Sequence, residues 1–156
     1  MKEIKFRAYD LKKKVVFPVH RIDFNKINQS IEFIKGYDDW DKDGYTVYGG
    51  GNMKYANKDR YILMQYTGLK DKNGKEIYEG DIVKVFLSCK GDYITAEIKY
   101  SEEYAQYIIV NTRCIIHEAE SLGDYNELEI IGNIYDNPDL LEKGKEEWKL
   151  MRCLKI

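Results

Sequence analysis

The sequence predicts a mainly β protein that finishes in a helix. Three observations predict it. Fourteen tyrosines, with many valines, isoleucines and threonines, stand against only two prolines, and such side chains suit a pleated, half-buried surface. Apolar and polar residues alternate repeatedly, which is the period of a strand. After Asn137-Pro138-Asp139 the apolar spacing changes to that of a helix.

Each element has its own signal. In Ile4 to Tyr9, Ile4, Phe6 and Ala8 share one face, while Lys5, Arg7 and Tyr9 share the other. Asp10 to Lys14 reads as a polar turn and Val15-Val16-Phe17 as the return strand, with Pro18 ending it or marking an edge. Ile22-Asp23-Phe24 is a short strand candidate, and Ile31, Phe33 and Ile34 fit strand or helix. Residues 36–60 mix glycine, aspartate, asparagine and aromatics, and read as a surface insertion or irregular hairpin. The strongest strand signals are Tyr61 to Tyr66 and Ile82 to Leu87. Between them lie a turn at Asp71-Lys72-Asn73-Gly74, with Gly where φ must be positive, and a second bend at Tyr78-Glu79-Gly80-Asp81. Leu69 and Ile77 flank the first turn and would pin a small hairpin.

The chain then offers Tyr93 to Tyr100, with Ile94, Ala96, Ile98 and Tyr100 on one side. Tyr104 to Val110 would pair with it across Ser101-Glu102-Glu103. Arg113 to Ile116 is a further short candidate. Glu127 to Tyr135 is the last strand, with Gly132 as a bulge or a close approach. The helix begins with Asn137 as cap, Pro138 at its first position and Asp139 in the positive first turn. Leu141, Trp148 and Met151 share one of its faces, with Leu140 beside them, and Gly144 weakens it by about 1 kcal/mol relative to Ala.

Composition bounds the rest. A chain of 156 residues suits one domain, or one domain with an appendage, and 44% apolar residues can build its core. The expected division is an N-terminal β extension over 1–60 and a compact part over 61–156. No stretch reaches the roughly 18 apolar residues of a membrane span, and no basic-then-apolar leader is present. Cys89, Cys114 and Cys153 are scattered and lack CxxC spacing, so a reducing cytoplasm is expected. A net charge of −2 supplies no global positive field for nucleic acid.

Few constellations carry chemistry. Asp39, Asp41, Asp43 and Gly44 form the first half of a calcium-loop pattern, but Gly50 stands where a bidentate Glu is needed; an acidic solvated turn is the simpler reading. Cys114 and His117 would face opposite sides of a strand, which does not suit a nucleophile and its base. The pairs Glu102/Glu103 and Glu118/Glu120 suit solvated turns, and His20 has no ligand at metal spacing. No catalytic residue, metal site or cofactor is nominated.

The run Ile62 to Val83, which includes Gln65-Tyr66-Thr67-Gly68-Leu69-Lys70-Asp71-Lys72-Asn73-Gly74-Lys75 and Tyr78-Glu79-Gly80-Asp81, resembles the signature of the YopX family. Phe6 to Asp10 resembles the family's opening strand, usually with Trp in place of Tyr9. Glu129 to Pro138 resembles its closing strand and helix start. Residues 36–60 and 101–127 fall outside the match. The resemblance implies a phage or prophage protein acting in a bacterial cytoplasm. It implies a mainly β fold with an N-terminal β-hairpin extension, an SH3-like barrel in the second half and a C-terminal α-helix. It implies no known enzymatic activity and carries over no catalytic residues. The residues agree with a small bent barrel, since a Gly-Asp bend precedes Ile-Val-Lys-Val and short alternating strands follow.

The expected function is a non-enzymatic binding or adaptor module for a phage or host protein. Its expected surface is Gln65, Tyr66, Tyr78, Glu79 and Asp81. Gly68, Gly74 and Gly80 explain tight turns, whereas Glu79 and Asp81 are not required by a barrel unless Asp81 caps its own bend. The alternative is single-stranded nucleic-acid binding through Lys70, Lys72 and Lys75, with Tyr66 and Tyr78 nearby. Asp71, Glu76, Glu79 and Asp81 interrupt that basic patch. Leu141, Trp148 and Met151 would also serve a homo-oligomer.

Overall fold

The computed structural model describes residues 3–24, 31–36, 60–87, 92–111, 114–116 and 127–143. The chain divides into two compact units, Met1–Gln65 and Tyr66–Ile156. Both are built from antiparallel strands, and the fold is mainly β as expected.

In the first unit β1 (Phe6–Asp10) pairs with β2 (Val15–Phe24) and with the opening half of β4 (Tyr61–Lys70). β2 also pairs with β3 (Ile31–Gly36), so this ambiguous segment is a strand. Ala8, Phe17 and Tyr61 form the buried core, with Val19 and Leu63 packed against it. Phe17 and Tyr61 meet edge to face at 5.9 Å. The β1–β2 turn is closed by Lys14 N donating to Asp10 O at 2.7 Å, with Lys14 left-handed at φ 59.

Of the two readings of Pro18, a stop or an edge, the structure bears out the edge: β2 runs on through Ile22 to Phe24 as one element. Pro18 faces Arg7 across β1, and the β3 ladder begins only at Val19. Among the described residues it therefore has an edge on one side, where a missing N–H is tolerated. Ile4 lies ahead of β1 and is 70% exposed, so the inward face of this strand starts later than its pattern suggested.

In the second unit the closing half of β4 and β5 (Glu76–Tyr78) form a hairpin. β6 (Asp81–Leu87), β7 (Asp92–Ser101), β8 (Gln106–Asn111), β9 (Cys114–Ile116) and β10 (Leu128–Asn133) make a sheet of order β10-β6-β7-β8-β9. The ladders among the described residues do not close into a ring. Val83, Val85, Ile94, Ala96, Ile98, Ile109 and Leu128 turn to one side of this sheet. Ile77 of the hairpin completes the cluster, with Leu69 and Ile130 against it. Burying an aliphatic side chain of this size contributes about 2 kcal/mol, so Ile77 and Leu69 help to hold the hairpin on the sheet.

The β7–β8 connection also departs from its pattern. Tyr104 belongs to the turn over 102–105 rather than to β8, and Ala105 is left-handed at φ 51. Ser101 pairs with Gln106 instead, and Ser101 Oγ accepts from Tyr104 N at 3.4 Å.

At the end of β10 the register shifts between Ile130 and Gly132, a bulge as expected. Gly132 is also a close approach. A Cβ there would lie 2.5 Å from Asn137 Oδ1 and 2.9 Å from Leu140 Cδ1. A short helix, α1, covers 139–143. Asn137 opens it through its carbonyl, which accepts from Leu140 N at 3.1 Å. Its side chain does not cap the first turn but accepts from Asn133 N at 3.4 Å. Gly144, Trp148, Met151, Cys89 and Cys153 lie outside the described residues, as do residues 37–59 with Asp39, Asp41, Asp43 and Gly50.

Gly132→Ala should therefore destabilise the protein by about 1–3 kcal/mol through overpacking. Gly74→Ala, which meets nothing within 4 Å but must hold φ +80, should lose about 1 kcal/mol from backbone strain alone. Urea unfolding measures both, and a Gly132→Ala midpoint equal to wild type would contradict the close approach.

Candidate functional site

The expected surface residues flank two bends, and the chemistry of each bend decides what they can do. Asp71 is buried at the first. Its Oδ1 accepts from Asn73 N at 2.8 Å and from Lys75 N at 2.9 Å, which shapes the turn. Gly74 N donates to Asp71 O at 2.9 Å and Gly74 takes φ 80, as the turn pattern required. Asp71 Oδ2 accepts from Ile130 N at 3.2 Å, and Lys72 N donates to Leu128 O at 2.8 Å. The turn is thus tied to β10.

At the second bend Asp81 is 1% exposed, and its Oδ2 accepts from Tyr78 N at 2.8 Å. Asp81 caps its own bend from beneath. Gly80 takes φ 74, donates to Ile98 O at 2.8 Å and accepts from Ile134 N at 2.9 Å. The bend is therefore pinned between β7 and the chain after β10. Tyr66 is also buried, so two members of the expected surface, Tyr66 and Asp81, lie inside. Burial of a charge depends on tertiary partners, which sequence pattern does not display. Tyr78 and Glu79 are half-buried and reach the surface; Gln65, also half-buried, belongs to the first unit, opposite Phe6.

Tyr78 leans on Tyr66, with ring centroids 5.5 Å apart, and its hydroxyl donates to Glu76 Oε2 at 2.8 Å. Beyond the bend, Tyr100 and Tyr107 are cross-strand partners whose rings meet edge to face at 5.3 Å. Burial, then the negative charge of Glu79, then Tyr100 push the Tyr107 hydroxyl up to about 12. Glu79 thus lies within electrostatic reach of this tyrosine pair. Burial likewise raises the Glu97 carboxyl, against the pull of Lys99.

The three lysines stand around the Asn73-Gly74 turn. Lys70 and Lys75 are exposed, opposite Glu76 and beside Gly74 respectively. Lys72 turns toward β10 and β6: its Nζ is 2.7 Å from Glu129 Oε2 and 4.8 Å from the centre of the Phe86 ring. Sequence reading did not single out Phe86, Lys84 or Tyr93. Their signal is the outward half of the alternation in β6 and β7, which faces away from Val83, Val85, Ile94 and Ala96.

In the first unit a further carboxylate is spoken for. Asp10 is fully buried and accepts from Lys12 N at 2.8 Å and Lys13 N at 3.1 Å. Arg60 donates to it in a fork, Nε to Oδ1 at 2.9 Å and Nη2 to Oδ2 at 2.6 Å. Burial pushes both Asp10 and Asp71 up. For Asp10 the Arg60 fork and the Lys13 and Lys12 N–H groups more than offset it; for Asp71 the Lys75, Ile130 and Asn73 N–H groups do so. Both carboxyls end below their ordinary value. Among the described residues no group of three or more His, Cys, Asp or Glu side chains could hold a metal ion. Cys114 lies in β9, and its side chain and His117 fall outside the described residues. No described helix is long and apolar enough to cross a membrane.

The model of the family described as YopX protein matches residues 5–142. The chain belongs to the YopX family. This YopX-family protein is 28% identical over 120 residues to the SPbeta prophage-derived uncharacterized protein YopX of Bacillus subtilis (strain 168), a match spanning 68% of this chain and 89% of that one. The crystal structure of protein EF1440 from Enterococcus faecalis superposes with a TM-score of 0.61 at 28% identity, over 90% of this chain and 99% of that one. The crystal structure of Bacillus subtilis YopX gives a TM-score of 0.55 at 21% identity, over 90% and 98%; at that identity the likeness is one of fold.

A folded-state value below the ordinary one means that each carboxylate stabilises the protein above about pH 4, where the unfolded chain is ionised, and that this stability is lost as pH falls through the lower folded value. Asp71→Asn, which keeps only one accepting oxygen, should lower unfolding free energy at pH 7 by about 1.5–3 kcal/mol. In denaturant melts the gap between variant and wild type should shrink below about pH 4. A gap independent of pH would show that the charge of Asp71 is not what holds the turn.

Proposed function

We propose that this YopX-family protein is a prophage-encoded, non-enzymatic binding module for a phage or host protein in the bacterial cytoplasm. Its working surface is the corner at Tyr78 and Glu79. The observation that carries this reading is preorganisation. Asp81 and Gly80 lock the bend from beneath, Tyr66 supports the Tyr78 ring, and half-buried Glu79 stands beside that ring on the same bend. A rigid aromatic and acidic corner loses little entropy when a partner docks. Tyr100 and Tyr107 extend it along the β7–β8 hairpin.

Two further points support binding over catalysis. The lone pairs of the buried carboxylates of Asp10 and Asp71 are taken up by backbone N–H groups and Arg60. Carboxylates used in this way shape turns and do not present themselves to a substrate. The second unit also suits an SH3-like barrel, because the β4–β5 hairpin lies over the apolar side of the sheet through Ile77 and Leu69. Small barrels of that kind offer loops and rims as contact surfaces.

The test is cross-linking mass spectrometry in a bacterial host expressing the protein. Tyr78→Ala with Glu79→Lys should abolish the partner cross-links seen with wild type in a chain that still unfolds cooperatively, its urea midpoint lowered by loss of the Tyr66 contact and the Glu76 hydrogen bond. Identical cross-links from the folded double variant would show that the corner is not the docking surface.

A further inference from the structure

The outward side of β6, β7 and β10 sets two cation-covered rings side by side. Phe86 and Tyr93 are cross-strand partners, their ring centroids 6.4 Å apart and their planes 55° from each other. Each ring has an ammonium over it. Lys72 Nζ is 4.8 Å from the centre of Phe86, and Lys84 Nζ is 4.4 Å from the centre of Tyr93. Glu129 faces Lys84 across the β10 ladder and holds Lys72 at 2.7 Å. Exposed Lys75 and Lys70 continue the positive charge along the hairpin that carries Lys72.

The plain explanation is that lysine stems cover apolar rings while their heads stay wet. Two details go beyond it. The rings lie at 55° and do not stack on each other, and each is covered by an ammonium that a planar base would displace. Lys72, moreover, already binds an anion, the Glu129 carboxylate, at the edge of the aromatic pair. Flat rings flanked by cations that accept an oxyanion are complementary to one class of polymer, in which planar bases alternate with phosphates. An acidic peptide would satisfy the lysines but leave the rings without stacking partners.

We propose that this outer face binds single-stranded nucleic acid, with successive bases on Phe86 and Tyr93 and phosphates on Lys72 and Lys84. Each lysine swings from above its ring to the edge as a base arrives, and Glu129 is the internal competitor that the phosphate displaces. This surface is separate from the Tyr78–Glu79 corner and does not rest on it.

Fluorescence anisotropy of labelled oligothymidylate and oligouridylate with the full chain tests the proposal at low and rising salt. Wild type should bind, with log affinity falling against log salt by roughly 0.7 for each phosphate contact. Lys84→Ala and Lys72→Ala should each weaken binding and lower that slope by about 0.7. Phe86→Leu should weaken binding roughly fivefold or more with the slope unchanged. Glu129→Gln should tighten binding. No binding by folded wild type at low salt would overturn the proposal, as would unchanged binding by the folded Lys72→Ala, Lys84→Ala double variant, which decides the matter if Phe86→Leu fails to fold. Displacement of the oligonucleotide by polyglutamate as effective as by unlabelled strand would also overturn it, in favour of an acidic protein segment.

Discussion

The second unit depends on one buried carboxylate. Asp71 shapes the turn between β4 and β5 by accepting from Asn73 and Lys75, and reaches β10 by accepting from Ile130. A hairpin of this size is barely stable alone in water. Here it is closed at its tip by a charge and fastened to a distant strand by the same charge. Three backbone donors spread the negative charge over fixed dipoles, so the group stays ionised where burial would otherwise neutralise it. Ile77 and Leu69 are thereby delivered to the core.

Both surfaces discussed above follow from that fastening. The strand leaving the turn ends at Tyr78, where Asp81 and Gly80 redirect the chain into β6. The residue after Asp71 is Lys72, whose backbone N–H joins β10 at Leu128 and whose side chain therefore lands on Phe86 and Glu129. A structural device at the turn thus sets the position of an aromatic corner on one side and a cation over an aromatic ring on the other. In the first unit Asp10 plays a comparable part: it shapes the β1–β2 turn and receives Arg60, the residue that leads into β4.

What could be read from the sequence was local. The Asp71-Lys72-Asn73-Gly74 turn was legible because its geometry is dictated by residues within four positions of each other. The inward row of β7 was legible because Ile94, Ala96 and Ile98 alternate without interruption. Reading fell short where a partner strand decides. Pro18 read as a stop or an edge, and only the β3 ladder, which begins beyond it, decides for the edge. Tyr104 continued the alternation on paper, yet Ser101 pairs with Gln106 and puts it in a turn. For Tyr78-Glu79-Gly80-Asp81 the sequence left open whether Asp81 lies on the surface or caps its own bend. Only the contact between Asp81 and Tyr78 N reveals that one of its two carboxylates is inside. The Lys72–Phe86 and Lys84–Tyr93 pairs needed the β6–β7 register and the turn's attachment to β10, neither of which composition or spacing contains.

Two left-handed non-glycine residues among those described, Lys14 and Ala105, have a different consequence. Each sits at an exposed hairpin tip and holds about 1–2 kcal/mol of backbone strain that glycine would relieve, although glycine would also loosen the unfolded chain. The two effects nearly cancel. These tips are therefore dials on which evolution or an engineer can trade native-state ease against unfolded-state disorder at little net change in folding free energy, while the aromatic corner and the cation-covered face stay untouched.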